Sequence, residues 1–402
     1  MDFSPSPRAQ EYVERVGSFI TSEIEPREAA YHRMVDAGDE NAPSVIEELK
    51  AKARKEGLWN LFMPDPRYGP GLTNVEYAQI AELTGRSFIA PEVFNCNAPD
   101  TGNMEVLLHY GSAQQQQRWM MPLLEGEIRS AFCMTEPGVA SSDATNMAAT
   151  AVVEGDEVVV NGRKWFSSGI GHPHCEIIIF MGLTDPDAHR YARHSMVLVP
   201  RDTPGVTVER LLPVMGRYDR PHGHGEVVFD NVRLPQDAIV AGPGRGFEIA
   251  QGRLGPGRVH HCMRAIGLAE KALELACQRA TSREAFGKPL ANLGGNRERI
   301  ADARIKINQA RLLVLHTAWL LDTKGIAGAL SEVSQIKVAV PNMALDVIDM
   351  AMQLHGGAGL TDDFPLAAAW TGARSLRLAD GPDEVHRGVV ARIELQKYGL
   401  PR

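Results

Sequence analysis

The sequence predicts an α+β fold in three consecutive parts: helical, then β, then helical. Three observations carry this expectation. Apolar residues recur at three and four positions through the first third, β-rich runs broken by turn residues begin near Ser130, and helical periodicity returns after Gly242-Pro243-Gly244-Arg245-Gly246. A length of 402 residues suffices for two to three domains at roughly 150 residues each. The expected boundaries are 1–129 for a helical domain, 130–242 for a compact β domain and 243–402 for a helical bundle domain.

In the first part the pattern Tyr12, Val16, Phe19, Ile20 and the pattern Val45, Ile46, Leu49, Ala53 each put apolar side chains on one helix face. Ser112 before Ala113-Gln114-Gln115 predicts a capped helix to about Leu124, because a serine oxygen can accept a first-turn amide. In the second part, residues 150–162 read as a hairpin turning at Glu154-Gly155-Asp156. Further strands are expected at Glu176–Met181, His194–Val199, Val206–Leu211 and Gly225–Phe229. In the third, long helices are expected at Phe247–Thr281, Arg297–Thr323 and Leu330–Leu354, with a shorter pair closing the chain. Pro341 should kink or interrupt the last of the long helices, since proline removes a donor and clashes with the preceding turn.

Composition excludes several function classes. Charged residues make up 23% and hydrophobic residues 44%, as in ordinary globular chains, so neither disorder nor a fibrous protein fits. Forty-two basic against 50 acidic residues give a net charge of −8 and no basic block, which removes nucleic acid as a partner. Cys96, Cys133, Cys175, Cys262 and Cys277 are odd in number and never form CxxC, so neither a disulfide framework nor structural zinc is expected. With no signal-like start and no run of about 18 apolar residues, the chain reads as cytoplasmic with no membrane span.

Two segments could carry chemistry. Phe132-Cys133-Met134-Thr135-Glu136-Pro137-Gly138 leads into Ser141-Ser142-Asp143, a stretch of small and hydroxylic residues that by composition alone is an interdomain turn. Asn161-Gly162-Arg163-Lys164-Trp165-Phe166-Ser167-Ser168-Gly169 sets two aromatics beside two serines; aromatic faces stack on flat cofactors, although such pairs more often fill a β core.

FCMTEPGVASSD, NGRKWFSSG, SREAFGK at 282–288 and QLHGGAGL at 353–360 occur in the order and spacing found in acyl-CoA dehydrogenases, and the chain resembles that family over nearly its whole length. RLGPGRVHHCMR at 253–264 and LADGPDEVHRG at 378–388 resemble the branch that in vertebrates is sometimes fused to a phosphotransferase-like domain. The resemblance implies an all-α N-terminal domain, a middle β-barrel or sandwich and a C-terminal four-helix bundle. It also implies FAD as cofactor, an acyl-CoA substrate, an electron-transferring flavoprotein as partner and a homo-oligomer, as a dimer of dimers.

The same resemblance implies roles for particular residues. Phe132, Met134 and Thr135 match the stretch contacting the flavin ring, and Ser142 lies beside the pyrophosphate and acyl-CoA. Trp165, Phe166 and Ser168 match its other side, with the Ser168 hydroxyl at flavin N5 where relatives carry threonine. Arg283 and Phe286 match residues reaching the FAD of a neighbouring subunit, and Gln353, Gly356 and Gly357 match the stretch near its diphosphate and adenosine. Arg258 and Gly381 fall on the substrate side, and Glu384 falls near the adenosine. Asp380 stands where most members carry a glutamate base, and the aspartate is shorter by about 1.5 Å. By sequence alone Asp380 before Pro382 would equally be a helix N-cap. The earlier-helix alternative, Gly255-Pro256-Gly257-Arg258, offers no carboxylate. Gly294-Gly295, Pro382 and Glu384 depart from the family pattern at FAD contacts.

The implied reaction is oxidation of an acyl-CoA to its trans-2-enoyl-CoA, with Asp380 taking the α proton, its backbone amide helping to hold the thioester oxygen, and flavin N5 taking the β hydride. Nitroalkane oxidase and acyl-CoA oxidase chemistry are alternatives on the same fold, and a non-catalytic assembly relative is an alternative of another class. His172, His174, His222 and His224 form HxH pairs without matched carboxylates, so no metal is expected. His260 and His261 are expected either in the acyl pocket or in the bundle core.

Overall fold

The computed structural model describes residues 3–39 and 42–399, the side chains of Leu254 and Pro256 aside. The described residues divide into two compact units, one within Met1–Tyr31, Pro43–Phe94 and Arg258–Arg402, the other within His32–Ala42 and Asn95–Gly257. Helices α1 (Pro7–Phe19), α2 (Glu25–Ala37), α3 (Ala42–Lys55), α4 (Asn74–Thr84), the single turn α5 (Ala90–Val93) and α6 (Asp100–Tyr110) come first. α7 (Ala113–Gln115) and α8 (Met121–Leu124) flank a π-helical turn, and Ser112 caps α7 as the sequence suggests, its hydroxyl accepting from Gln115 N at 3.2 Å.

Seven strands follow: β1 (Arg129–Cys133), β2 (Thr150–Glu154), β3 (Glu157–Ser168), β4 (Cys175–Leu183), β5 (His194–Pro200), β6 (Val206–Leu211) and β7 (His224–Pro235). They form one sheet in the order β1-β4-β2-β3-β7-β6, with β5 pairing on β4. Ala131, Val158, Val160, Ile178, Phe180 and Val227 fill its apolar core, all fully buried. The hairpin turns at Gly155-Asp156 as its composition predicts. β7 runs past the expected Gly225–Phe229, because it pairs along nearly the whole of the long β3.

The C-terminal part comprises α9 (Gly246–Ser282), the two-residue strands β8 (Glu284–Ala285) and β9 (Lys288–Pro289), α10 (Asn296–Gly328), α11 (Leu330–His355), α12 (Leu366–Ser375) and α13 (Asp383–Gln396). α10 extends beyond the expected Thr323, its ladder broken only at Gly325 with φ 67°. The expected interruption at Pro341 does not occur: α11 is continuous, with Ile336, Val340, Pro341, Ala344, Val347 and Ile348 all buried. Burial of that apolar stripe outweighs a proline cost of about 3 kcal/mol.

Within the first unit α4 and α9 cross at bare backbone. A Cβ added to Gly267 would lie 1.8 Å from Glu82 O, and one on Gly85 would lie 2.0 Å from Arg264 O. Arg311 of α10 locks this crossing by donating to both Glu82 of α4 and Glu270 of α9. The crossing fixes the axial position of the α9 stretch that carries Arg258, His261 and Arg264.

Candidate active site

In the second unit the two motif segments are sewn together by their backbones. Trp165 N donates to Thr135 O at 2.9 Å, and Lys164 Nζ donates to Met134 O at 2.9 Å, Met181 O at 2.7 Å and Glu136 Oε1 at 2.7 Å. Lys164 is fully buried, and burial pushes its ammonium below the usual lysine range against the pull of Glu136. Glu136 in turn accepts from the Ala148 and Ala149 amides, both at 3.0 Å. The segment that composition reads as a mere turn is therefore a rigid shelf, and Phe132, Met134, Thr135, Trp165 and Ser168 line it half-buried. Ser142 stands exposed on the adjoining loop, where Ser141 makes the closing hydrogen bond to Glu136 N at 2.8 Å.

The ladder between β3 and β7 loses its regular register between Lys164 and Ser167, and Phe166 takes a left-handed φ of 49° there. The break turns the Phe166 ring outward, 46% exposed, with its centroid 5.1 Å from Trp165. A non-glycine residue in that region is strained, and such strain gathers at functional sites. Ser168 pairs with His224 across the sheet, and its Oγ lies 2.7 Å from His224 Nδ1. His224 Nε2 lies 3.5 Å from Asp219 Oδ2, and burial pulls the imidazole below its ordinary pKa while Asp219 opposes. The shelf thus offers apolar faces, two hydroxyls and a Trp165 indole N–H without a protein partner. That donor set suits a flat, hydrogen-bonding ring system such as a flavin.

In the first unit, Asp380 sits in the loop between α12 and α13 with φ 56°, followed by Gly381 at φ 102°. It is not a helix N-cap: Pro382 occupies that position, and the Asp380 side chain is released to point elsewhere. Its backbone carbonyl accepts from Arg258 Nε and from His386 Nε2, each at 3.1 Å. Burial, reinforced by Arg258, takes His386 down to about 4, so it is a neutral donor here. Lys337 donates to Leu376 O, and Arg377 donates to Asp383 Oδ2 at 2.9 Å, which pins both ends of the loop. The Asp380 carboxylate itself, 20% exposed, lies 3.4 Å from His261 Nε2.

The remaining expected residues of this unit lie outside that cluster. Phe286 is 95% exposed at φ 52° between β8 and β9, and Arg283 is exposed just past the end of α9. Gln353, Gly356 and Gly357 are exposed where α11 ends, and Arg279 Nη2 reaches His355 O at 3.5 Å, so the ends of α9 and α11 lie together. Glu384 is exposed, 3.7 Å from Arg387. His260 belongs to the core, buried edge-on against Tyr77 at 4.8 Å and taken by burial down to about 3. Among the described residues no three metal-ligating side chains converge; His172 instead stacks on His222 at 5.3 Å.

Sequence reasoning missed His224, Arg264 and His386 as neighbours of the expected site, and left His261 between the acyl pocket and the bundle core. Two signals were present. The register of an antiparallel β3–β7 pair puts His224 opposite Ser168, and Arg258, His261 and Arg264 stand three apart on one helix face.

The chain matches the acyl-CoA dehydrogenase N-terminal domain over 6–127, the middle domain over 131–232 and the C-terminal domain over 244–395. It is 51% identical over 401 residues to FadE2 of Mycobacterium tuberculosis, named as an acyl-CoA dehydrogenase, covering 99% of this chain and 98% of that one. The chain belongs to the acyl-CoA dehydrogenase family. A solved structure from Mycobacterium abscessus, named for the same family, superposes with a TM-score of 0.95 at 70% identity, covering 98% of this chain and 100% of that one. Acyl-CoA dehydrogenase family member 10 of Mus musculus is 54% identical over 397 residues, covering 97% of this chain. The chain spans 37% of that relative's length and 51% of family member 11 of Rattus norvegicus. Among the described residues no helix is long and apolar enough to cross a membrane.

Proposed function

We propose that the chain is an FAD-dependent acyl-CoA dehydrogenase in which Asp380 removes the α proton of an acyl-CoA thioester. The observation that carries this reading is the immobilised, left-handed Asp380 backbone, with its carbonyl held at 3.1 Å by both Arg258 and His386 while the carboxylate stays free of any capping role. Holding a base in place before substrate arrives removes orientational cost from proton transfer. In this reading the Asp380 amide helps to hold the thioester oxygen as negative charge develops. Bound FAD supplies the hydride acceptor at N5.

On the flavin side, Thr135, Trp165 and Ser168 are the groups proposed to hold the ring, with Phe132, Met134 and Phe166 providing apolar contact and Ser142 reaching toward the pyrophosphate. Exposure of Arg283, Phe286, Gln353, Gly356 and Gly357 supports a site completed by a second subunit, since a 95% exposed phenylalanine on a hairpin lacks a burial partner within its own chain. A homotetramer and an electron-transferring flavoprotein as acceptor complete the proposal. The five cysteines, four of them buried, form no disulfide, which favours a reducing compartment such as the cytoplasm.

The test is the visible spectrum of the purified protein, followed anaerobically while short, long and branched acyl-CoAs are added to wild type and to Asp380→Ala. Bleaching in wild type alone supports the reading and ranks the substrates. Flavin that no thioester bleaches overturns it and directs attention to nitroalkanes. Rapid reoxidation in air favours an oxidase, and protein that neither carries nor takes up FAD favours a non-catalytic relative.

A further inference from the structure

We propose that His261 is a positioning residue for Asp380, and that Arg264 sets its tautomer. The inference rests on the reading of Asp380 as the base. Arg264 Nη2 lies 3.2 Å from His261 Nδ1. A guanidinium has only donors, so Nδ1 must be the bare, accepting nitrogen, and the single ring proton of the neutral imidazole sits on Nε2. That nitrogen is the one 3.4 Å from Asp380 Oδ2. The result is a directed chain, Arg264 to His261 to Asp380, with every donor pointing toward the carboxylate.

Two consequences follow from the geometry. The Nε2–H faces one carboxylate oxygen, Oδ2, and so restrains the side-chain rotamer in which Asp380 meets the substrate. A donor to the charged form also favours that form, keeping the base ionised at lower pH than burial alone would permit. His261 does not receive the substrate proton: its accepting nitrogen is occupied by Arg264, so the proton taken from the α carbon remains on the Asp380 carboxyl. The separation of 3.4 Å is long for such a bond, and catalytic contacts commonly tighten once substrate is bound.

Other charged and titratable groups that act on Asp380 include Arg258 and Cys262 of α9, Lys337 of α11 and His386 of α13, and Asp383 follows three residues later at the start of α13. Arg258 and His386 bond the Asp380 backbone carbonyl, and Lys337 is spent on Leu376 O. Asp383 is engaged by Arg377 and Asn342. Removing His261 takes away the contact at Oδ2 while leaving these loop anchors in place.

The test uses the flavin-loaded enzyme and compares wild type, H261F, H261Q, R264M and D380N. Flavin reduction by a turned-over acyl-CoA is followed across pH, and kcat and KM are separated. H261F is expected to lose about tenfold in kcat with little change in KM, the loss that follows removal of one hydrogen bond to a charged group. The acid limb of kcat/KM should move upward, since the carboxylate then protonates more readily. H261Q, whose amide nitrogen falls near the place of Nε2, should restore the limb. R264M should move it in the same direction as H261F, because the ring proton is no longer confined to Nε2. A structural role alone would change stability without moving the limb. If H261F or R264M keeps the wild-type limb and kcat within about twofold, the proposal is overturned; if H261F sheds its flavin, R264M decides by the same criterion. D380N separates the two layers: activity equal to wild type removes the base itself, whereas an inactive D380N beside an unchanged H261F removes only the positioning role.

Discussion

Ser168 Oγ lies 2.7 Å from His224 Nδ1, and the far nitrogen of that ring lies 3.5 Å from Asp219 Oδ2. The hydrogen bond to the neutral His224 ring holds that hydroxyl in one orientation. Ser168→Ala is therefore expected to lower the rate of anaerobic flavin reduction by roughly ten- to hundredfold, the loss typical of one well-placed hydroxyl. His224→Ala should give a smaller loss of the same kind by releasing the Ser168 rotamer. Stopped-flow reduction of equal amounts of bound flavin measures both, and an Ser168→Thr enzyme close to wild type would show that the hydroxyl is what matters.

Beneath that shelf, Lys164 and Glu136 form a buried pair at 2.7 Å whose remaining bonds all go to backbone. Removing one partner strands the other charge in the interior. Lys164→Met is expected to cost roughly 3–5 kcal/mol, and adding Glu136→Gln should recover part of it because the uncompensated carboxylate is gone. Denaturant midpoints of the single and double variants check this. Equal losses in the two would mean that the cost lies in the Met134 and Met181 carbonyls left without a donor.

How far the sequence foretells this arrangement depends on range. Local signals are readable: the Ser112 cap, the turn at Gly155-Asp156 and the whole of β6 follow from turn chemistry and periodicity acting over a few residues. Pro341 shows the limit, since its local penalty is overridden by packing of a stripe that sequence alone cannot weigh. The Lys164–Glu136 pair and the crossing at Gly85 and Gly267 join segments far apart in the chain, so nothing local marks them. His224 and His261 were visible as histidines. Their partners were not, because a helix face or strand register must be docked before Ser168 or Asp380 is the nearest acceptor or donor.

Glu105 supplies an unusual pH signature. It is buried in the second unit, and burial pushes its carboxyl up to about 8 against the opposing charge of Arg253. Folding thus favours the protonated form. The stabilisation is complete below the ordinary glutamate value of 4.5 and is lost as pH rises through about 8, because over that window the unfolded chain has already released the proton. Glu105→Gln removes the titrating group, so the variant should gain stability relative to wild type as pH rises through this window. Thermal midpoints of the two proteins across that range test it, and parallel curves would count against a neutral Glu105.

The buried histidines act with the opposite pH trend. His260 at about 3 and His386 at about 4 stay neutral in the folded chain, while the unfolded chain protonates them near 6.5. Their folded values are depressed, so the unfolded state binds more protons below 6.5 and stability falls as the solution is acidified toward the folded values. His260→Phe should blunt this acid sensitivity, because the ring packed edge-on against Tyr77 keeps its apolar contact and loses its ionisable nitrogen. The check is the slope of unfolding free energy against pH on the acid side, expected to be shallower in the variant.

Gly381 couples the conformation of Asp380 to its anchors. Its φ of 102° is open to glycine and strained for other residues, and an added Cβ would come within 2.9 Å of His386 Nε2, the atom that holds Asp380 O. Gly381→Ala therefore acts twice: it strains the turn, and it pushes His386 off the carbonyl it bonds. The expected outcome is a fall in kcat per bound flavin of at least tenfold, as small misplacement of a reacting group costs rate steeply. His386→Phe, which removes the donor but leaves Gly381 and its turn intact, should fall between wild type and Gly381→Ala. Were both variants as fast as wild type, the clamped carbonyl would have no part in placing the base, and the Arg258 bond alone would have to account for the left-handed conformation at Asp380.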